Sequence, residues 1–340
     1  MKPVLSICIA TYNRCAFIGE TLESILPQLT AGVEVIVIDG ASTDATEAVV
    51  GAFVQRCGQI RYERLSAKGG IDKDFDIAVE HASGEYCWTF PDDDVMKPGA
   101  IDAVLRQIRE RHDLIIVNAE VRTVDLSRLI EEKRLPISKD MIYAPEDLEK
   151  FFVENTIYMT YIGCVVIKRS LWLERERERY YGTEFIHVGV IFQKPITTSI
   201  AVIAGPYISI RLGNAQWTER AFEIWVFKWP KLIWSFESFS RAAKAKVYPE
   251  EPWRTLTRLL FLRAEGNFGI GEYRRFIRPK LSSVIERAAI MSIALVPGAL
   301  VNFLAIMYYS FNSAEHKYAL SVLKSSKYYY LKSAVRLGGK

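Results

Sequence analysis

The sequence predicts an α/β fold in which helices flank a doubly wound, mainly parallel sheet. Strand and helix patterns alternate between residues 4 and 118, the strand segments are short apolar runs, and three of them end in polar residues. A strand–helix–strand order of this kind brings parallel strands together through right-handed crossovers. The 340 residues suffice for one large α/β domain with an appendage, or for two domains.

The predicted elements follow one another in regular order. Strands are expected where apolar or β-branched residues stand together, and helices where apolar residues recur every three or four positions. The predicted strands are 4–10, 33–38, 60–65, 86–90, 114–118 and 163–168, and the predicted helices are 13–29, 44–56, 72–81 and 99–111. Ser42 and Thr43 can cap the second helix, and Pro98 precedes the fourth.

The sequence changes character after its first half. Residues 119–215 are less regular than the segment before them, residues 217–253 are rich in tryptophan, and residues 288–311 are apolar. We therefore predict a first domain over 1–215 and a second, mainly helical region over 216–340.

Net charge and cysteine usage narrow the function classes. A net charge of +4 is too small to indicate nucleic acid, so no nucleic-acid partner is predicted. The five cysteines are odd in number and form no Cys-x-x-Cys pair, which is typical of reduced thiols in a cytoplasmic protein. The N-terminal MKPVLSICIATYNR lacks the long apolar region of a signal peptide and is interpreted as a first strand.

The C-terminal segment is both apolar and basic. Residues 288–311 carry no charge over twenty-four positions, but Pro297-Gly298 interrupts any helix there. Three interpretations stay open: a kinked span, a re-entrant or interfacial helical pair, and a buried helical hairpin. Residues 270–340 hold eleven Lys or Arg against three Asp or Glu, which favours an anionic surface. We expect peripheral contact of 286–340 with the inner face of the cell membrane.

Polar residues follow three of the predicted strands. The first strand ends in Ala10-Thr11-Tyr12-Asn13-Arg14, the second in Asp39, and the fourth in Asp92-Asp93-Asp94. Ligands of doubly wound sheets bind beyond the carboxyl ends of the strands. If these strands are neighbours, the three polar ends face one crevice.

The three consecutive aspartates indicate a cation site. Ionised carboxylates repel one another, and a bound Mn²⁺ or Mg²⁺ would neutralise them and hold a diphosphate at the same time. If the extended backbone continues, Asp92 and Asp94 point to one side. The alternative is a solvated acidic turn, because Pro-Asp-Asp-Asp also suits a turn.

Three blocks carry a family resemblance. LSICIATYNRCAFIGETLESIL, VEVIVIDGASTDAT and ASGEYCWTFPDDDVMKPGAI resemble family 2 glycosyltransferases of the GT-A fold over about residues 3–115. IGCVVIKRSLW and GTEFIHVGVIF are similar to bacterial O-antigen and capsule sugar transferases, including abequosyltransferase-like proteins. The resemblance implies an enzyme with a nucleotide-sugar-binding and catalytic domain over 1–215.

The resemblance also implies roles for single residues. Ala10, Thr11 and Tyr12 would line the base and ribose of the donor, and Asp39 would hydrogen-bond the base. Asp94 would be a direct metal ligand, and Asp92 or Asp93 would contact the ribose or a metal-bound water, with Asp92 a second candidate ligand. Further candidates for donor binding are the cations Arg14, Lys73 and Arg211. For Arg211, a surface position is the alternative.

Two positions depart from the family pattern. Gly40 stands where the family often has a second aspartate, and Lys73-Asp74 stands where it often has Arg-Asn. Lys73 could still contact a diphosphate as a point charge, but it lacks the bidentate fork of an arginine.

The implied chemistry is inverting transfer, which needs a general base for the acceptor hydroxyl. The candidates are Glu184 and His187, which would share a face if both lie on one helix, with Asp147 and other acids as alternatives. The alternatives without a catalytic role are a surface position for Glu184 and a packed position for His187. Trp217 could stack on a sugar or pack in a core.

The function predicted is transfer of one hexose or deoxyhexose at a time. The donor would be a nucleotide-diphosphate sugar, and the acceptor a saccharide on a polyprenyl diphosphate. No Gln-x-x-Arg-Trp motif of processive synthases is present. The alternative from another class is a catalytically weak nucleotide-sugar-binding or assembly subunit of a polysaccharide complex. A sugar nucleotidyltransferase is disfavoured, because the Gly-rich N-terminal loop of such enzymes is missing.

Overall fold

The computed structural model describes residues 2–214, 216, 220–311 and 317–329. Two compact units form: Met1–Arg211 with Ser235–Val247, and Leu212–Trp234 with Tyr248–Lys340. The predicted division after residue 215 assigned Ser235–Val247 to the second region, whereas in the structure this segment belongs to the first unit. Trp217 and the basic residues of 330–340 lie outside the described residues.

The first unit contains a ten-stranded sheet. Its strands are β1 (Leu5–Thr11), β2 (Val33–Asp39), β3 (Ile60–Arg64), β4 (Tyr86–Thr89), β5 (Val95–Met96), β6 (Leu114–Thr123), β7 (Leu129–Glu131), β8 (Met141–Tyr143), β9 (Val165–Lys168) and β10 (Ile200–Leu212). The order is β3-β2-β1-β4-β9-β6-β10-β5, with β7 on β6 and β8 on β10. The neighbours β3, β2, β1 and β4 are parallel, and β9 is antiparallel to both β4 and β6. The predicted α/β class is confirmed: β3, β2, β1 and β4 pair in parallel, whereas β5, β7, β8 and β9 are antiparallel to their neighbours.

Helices cover the sheet because each buries an apolar stripe. The α-helices of the first unit are α1 (Ile18–Ile25), α2 (Thr46–Arg56), α3 (Ile71–His81), α4 (Ala100–Arg109), α5 (Leu148–Asn155), α6 (Arg169–Leu173), α7 (Ile186–Phe192) and α10 (Arg241–Val247). In α4, for example, Ile101, Val104 and Ile108 are buried while Asp102 is exposed, as the helical spacing of its apolar residues requires.

The register of the parallel strands brings the polar strand ends together. Thr11 is paired with Asp39 across β1 and β2, and Cys8 with Thr89 across β1 and β4. The N–H of Phe90 donates to the carbonyl of Cys8 at 2.8 Å, so the acidic run begins at the same edge of the sheet. The convergence expected from the sequence is therefore found.

The second unit is helical. Its α-helices are α8 (Ala221–Glu223), α9 (Trp229–Trp234), α11 (Leu256–Glu265), α12 (Ile270–Glu272), α13 (Val284–Leu295), α14 (Gly298–Ser310) and α15 (Lys317–Ser325), with π-helical turns at Ile224–Lys228 and Tyr273–Ile277. Phe222 stacks on Phe268 inside a core that also takes in Trp253 and Leu259. Trp229 and Trp253 are buried, so these tryptophans are core residues.

The helices α13 and α14 meet at the predicted break. Pro297 separates them, and their axes differ by 87°. Among the described residues no single helix has the length and apolarity of a membrane span; only this bent pair meets those criteria, and it does so by length and composition alone. The pair leaves many large apolar side chains at least two-fifths exposed: Val284, Ile285, Met291, Leu295, Leu300, Phe303, Leu304, Met307, Tyr308 and Phe311. A fully buried helical hairpin is thus not what forms.

Candidate active site

Thr11 and Asp39 form the floor of the site at the ends of β1 and β2. The Asp39 side chain is fully buried, and its carboxylate accepts hydrogen bonds from the Ser42 N–H and the Tyr62 hydroxyl, both at 2.7 Å. Burial and this hydrogen bond raise the pKa of Tyr62, so it remains a donor. Each carboxylate oxygen keeps a further lone pair for a ligand.

The loops after β1 and β2 are tied to each other. The Asn13 backbone has φ 53°, in the left-handed region, and its N–H donates to the Ser42 hydroxyl at 2.8 Å. The Asn13 side chain accepts from the Thr43 N–H at 2.7 Å, and the Arg14 N–H donates to the Thr46 hydroxyl at 2.9 Å. This is why α1 begins at Ile18, later than predicted, and it fixes Arg14 beside the acidic run.

Asp92 and Asp93 are paired with Arg14. The Arg14 guanidinium lies 3.5 Å from Asp92 through Nε and 3.1 Å from Asp93 through Nη2. Burial and the charge of Asp93 raise the pKa of Asp92 to about 7, although Arg14 acts in the opposite direction. The alternative of a solvated acidic turn is therefore excluded. The carboxylates of Asp92 and Asp93 are largely buried against the guanidinium group of Arg14.

Asp94 points to a different partner. Its Oδ1 accepts the backbone N–H of Arg211 at 2.8 Å, and its own carbonyl accepts the Thr21 hydroxyl at 2.8 Å. Burial and the charge of Asp93 raise the pKa of Asp94 well above its ordinary value. Tyr161 lies near the start of the acidic run, since its hydroxyl and the ring of Pro91 both border Gly163. Burial and the charge of Asp94 raise the pKa of Tyr161.

Arg211 is buried against the acidic run. Its Nε donates to the carbonyl of Asp93 at 2.5 Å and its Nη1 to the carbonyl of Val124 at 2.7 Å, and Nη2 forms an ion pair with Glu20. The surface alternative for Arg211 is excluded, since its side chain is only 3% exposed. Its present contacts support the backbone that carries Asp93 and Asp94.

The three aspartates of α3 contact different parts of the first unit. Asp72 accepts the N–H groups of Glu184 and Ile186 at 2.8 and 3.0 Å, while Asp76 accepts from the Trp172 indole at 2.8 Å. Asp74 is buried beside Gly40. Lys73, on the same turn, is exposed, and its role toward a diphosphate stays a prediction.

Glu184 and His187 do not share a helix. Glu184 has φ 72° and precedes α7, because Asp72 accepts the N–H groups at the start of that helix; the predicted common helical face is wrong. Glu184 is half-buried. His187 is fully buried, its Nε2 lies 2.7 Å from the Met159 carbonyl, and burial lowers its pKa to about 4.

The donor atoms at the acidic run fit a hard divalent cation. Among the residues described, no three His, Cys, Asp or Glu side chains form a complete metal cage. Magnesium is usually held by one or two carboxylates together with substrate phosphates and water, and manganese accepts the same oxygen ligands. Asp92 and Asp94 supply two buried carboxyl groups of this kind.

Three groups of this region were not predicted from the sequence. Tyr161 reaches the start of the acidic run from a segment distant in sequence, and Asp72 and Asp74 lie on α3, where the sequence predicted only a helix. The sequence contained a signal for Asp72 and Asp74. In IDKDFDIAVEH three aspartates stand at alternate positions, so on a helix they cannot all lie on one solvent-exposed polar face.

Comparisons with known sequences agree with the resemblance. The family model of glycosyl transferase family 2 matches residues 6–174. Abequosyltransferase RfbV of Salmonella typhimurium is 25% identical over 277 residues, which cover 74% of this chain and 81% of the relative. The GalNAc(5)-diNAcBac-PP-undecaprenol beta-1,3-glucosyltransferase of Campylobacter jejuni is 27% identical over 186 residues, covering 54% of this chain and 57% of the relative.

Solved structures share the fold. Residues 1–349 of S. aureus TarS, in complex with UDP, superpose with a TM-score of 0.59 at 17% identity, covering 99% of this chain and 92% of that TarS fragment. The mannosyltransferase PcManGT from Pyrobaculum calidifontis, in complex with GDP-Man and Mn²⁺, gives a TM-score of 0.51 at 15% identity, covering 96% and 86% of the two chains. The GT-A type of the fold is thereby confirmed.

The sheet topology, the acidic run at the edge of β1 and β4, and the family match over residues 6–174 all lead to one assignment. The chain belongs to the family 2 glycosyltransferases and is an enzyme that transfers sugars.

Proposed function

We propose that the enzyme transfers a single hexose or deoxyhexose, with inversion, from a nucleotide-diphosphate sugar to a saccharide acceptor in surface polysaccharide biosynthesis. The observation that carries this proposal is the register of β1, β2 and β4. It sets Thr11, Asp39 and Asp92–Asp94 at one edge of the sheet, where doubly wound folds bind ligands. The nucleotides bound to TarS and PcManGT support a nucleotide-sugar donor.

The donor would lie along this edge. Ala10, Thr11 and Tyr12 line one side of the base and ribose, and Asp39 accepts a hydrogen bond from the base. Lys73 and Arg14 supply positive charge for the diphosphate. Arg14 is already held beside the aspartates, so little side-chain entropy is lost when a diphosphate reaches it.

Asp92 and Asp94 would hold Mn²⁺ or Mg²⁺ on the donor. When bound, the cation supplies compensation for the negative charge that develops on the departing nucleoside diphosphate. Asp93 remains with Arg14 and keeps the loop in place. Arg211 holds Asp94 through its backbone N–H, and is thus a positioning residue for this carboxylate.

Glu184 is the better candidate for the general base. It is half-buried, and Asp72 accepts its backbone N–H, so its backbone is fixed while its carboxylate is able to meet an acceptor hydroxyl. His187 is fully buried and engaged with the Met159 carbonyl, so it fits a packing role in the first unit. Removal of the hydroxyl proton by Glu184 frees the acceptor oxygen to attack the anomeric carbon.

The acceptor we propose is a saccharide on a polyprenyl diphosphate, met at the inner face of the cell membrane. The exposed apolar side chains of α13 and α14 suit a peripheral, interfacial contact of 286–340, and Arg274, Arg275, Arg278 and Lys280 add nearby positive charge for anionic headgroups. The Campylobacter relative is named for a saccharide linked to undecaprenol through a diphosphate, which supports such an acceptor.

The proposal is tested by turnover. The enzyme with Mn²⁺ is incubated with a panel of nucleotide sugars and undecaprenyl-diphosphate-linked saccharides, and release of nucleoside diphosphate is followed together with the anomeric configuration of the product. Transfer with inverted configuration is expected. Donor binding without transfer to any such acceptor would count against the proposed acceptor, and retained configuration would refute the mechanism.

A further inference from the structure

The carboxyl group of Asp74 lies against Gly40, the residue after Asp39. A Cβ built at position 40 would stand 2.6 Å from Oδ2 of Asp74, and one at position 69 would stand 2.7 Å from Oδ1. At distances this short the side chain or the backbone must move. The two glycines therefore leave the space that the Asp74 carboxyl group occupies, and this group sits beside the Asp39 end of β2.

Asp74 is buried without full hydrogen bonding. The residue is 3% exposed, and its Oδ1 has no hydrogen-bond partner within the described part of the chain. Leaving a buried acceptor unsatisfied is costly. Burial raises the pKa of Asp74 to about 6, against the opposing charges of Lys68 and Lys73. A buried, unsatisfied acceptor beside a predicted ligand site indicates that a ligand completes its hydrogen bonding.

The surroundings of Asp74 suit a planar ring with hydrogen-bond donors. The Gly40 N–H donates to the Thr11 carbonyl at 2.9 Å, so Asp74 is close to the end of β1 as well as β2. The ammonium group of Lys68 lies 3.7 Å from the centroid of the Tyr12 ring. An aromatic face and two carboxyl groups, those of Asp39 and Asp74, thus border the same edge.

We propose that Asp74 is a specificity-determining residue that acts with Asp39 to select a donor base carrying an exocyclic amino group, over uracil and thymine. This inference rests on the proposed function of the site. Guanine presents an adjacent ring N–H and amino group, and the amino group of cytosine or adenine carries two N–H bonds, one for each carboxyl group. Uracil and thymine present one N–H between two carbonyl oxygens, so a second acceptor meets a lone pair instead of a donor.

The test compares nucleoside diphosphates that differ only in the base and, for dTDP, the sugar. Dissociation constants of CDP, GDP, ADP, UDP and dTDP are measured by calorimetry with Mn²⁺ on the wild type, on Asp74→Asn and on Asp102→Asn. The control Asp102 is exposed on α4 and outside the site. On the wild type, one amino-bearing nucleotide is expected to bind at least about tenfold more tightly than UDP and dTDP, the factor that corresponds to one lost hydrogen bond.

The variants separate this inference from the proposed function. In Asp74→Asn the amide offers a donor, so the preference over UDP is expected to narrow to about threefold or less, while Asp102→Asn keeps it. Gly69→Ala is a second variant, which retains the charge but displaces the carboxyl group, and it is also expected to narrow the preference. Tightest binding of UDP or dTDP, or an unchanged preference in folded Asp74→Asn, would overturn the inference alone. Absence of binding by all five nucleotides would overturn the proposed function with it.

Discussion

The guanidinium group of Arg14 lies 3.1 Å from the carboxylate of Asp93 and 3.5 Å from that of Asp92. A side chain from the loop after β1 thereby balances charge on the loop after β4. The three consecutive aspartates are stable in this fold because Arg14 forms ion pairs with Asp92 and Asp93 and the backbone N–H of Arg211 donates a hydrogen bond to Asp94. Removing either support changes how readily these carboxyl groups ionise.

Arg14→Ala is expected to weaken donor binding at neutral pH. Arg14 acts to lower the pKa of Asp92, which burial already raises to about 7. Loss of an adjacent opposite charge raises a carboxyl pKa by about one unit or more, so metal-dependent binding should need a correspondingly higher pH. Dissociation constants measured between pH 6 and pH 8.5 check this. The control is Arg56→Ala, which removes an exposed ion pair with Glu23; a profile that does not move in Arg14→Ala would contradict the account.

Metal-free protein is expected to become more stable as pH falls from 8 to 6. Burial raises the pKa of Asp92 to about 7 and that of Asp72 and Asp74 to about 6. The folded state therefore binds more protons than the unfolded state in this range, and stability decreases as pH rises. His187, with a pKa lowered to about 4, has the opposite effect, but only below the ordinary histidine value near 6.5.

The melting temperature in EDTA measures this effect. We expect a decrease of a few degrees between pH 6 and pH 8. Asp92→Asn should reduce the decrease, since the amide does not ionise. A melting temperature that rises with pH over this interval would show that the raised carboxyl pKa values do not govern stability.

Glu184→Gln is expected to lower kcat by about a hundredfold or more, the usual contribution of a general base, while donor affinity changes by less than about threefold. Gln preserves the shape of the side chain, and the substitution leaves the hydrogen bond from the Glu184 backbone N–H to the Asp72 carboxylate in place. Single-turnover rates and donor dissociation constants are measured together. Glu178→Gln, an exposed carboxylate before α7, is the matched control. Full activity of Glu184→Gln would exclude it as the base.

Gly40→Ala is expected to destabilise the protein by about 1–3 kcal/mol, the usual cost of overpacking, because its Cβ would stand 2.6 Å from Asp74. In an Asp74→Ala background the same change should cost less than about 1 kcal/mol, since only ordinary contacts remain. Chemical denaturation of the two single variants and the double variant gives the coupling. Additive effects would show that the two positions do not meet as described.

Charged substitutions on α14 are expected to reduce membrane binding. Phe303 and Leu304 are 46% and 55% exposed, so Phe303→Glu with Leu304→Glu should leave the fold intact and weaken flotation with anionic phospholipid vesicles by about tenfold or more. Leu256→Glu, at a residue 45% exposed on α11, is the control. Truncation is a weaker test, because Ile290 and Val301 pack in cores of the second unit. Equal flotation of the double variant would refute the contact.

The sequence predicted the strand ends better than the residues that surround them. Short apolar runs determined the order of β1 to β4, and Thr11, Asp39 and Asp92–Asp94 then converge as a matter of register. The position of Glu184 outside α7 could not be predicted, because it depends on Asp72, more than a hundred residues away. Likewise, the space beside Gly40 is filled by a different helix, and only the packed structure shows it.

The central claim is that the acidic run forms a metal-dependent donor site, and calorimetry of nucleoside diphosphates with and without Mn²⁺ tests it most directly. The variant of choice is Asp94→Asn, since the amide oxygen can still accept the Arg211 N–H while the charge is lost. The account predicts Mn²⁺-dependent binding of at least one nucleotide, weakened about tenfold or more in Asp94→Asn and retained in Asp102→Asn. Binding that is independent of Mn²⁺, or equally tight in folded Asp94→Asn, would contradict it.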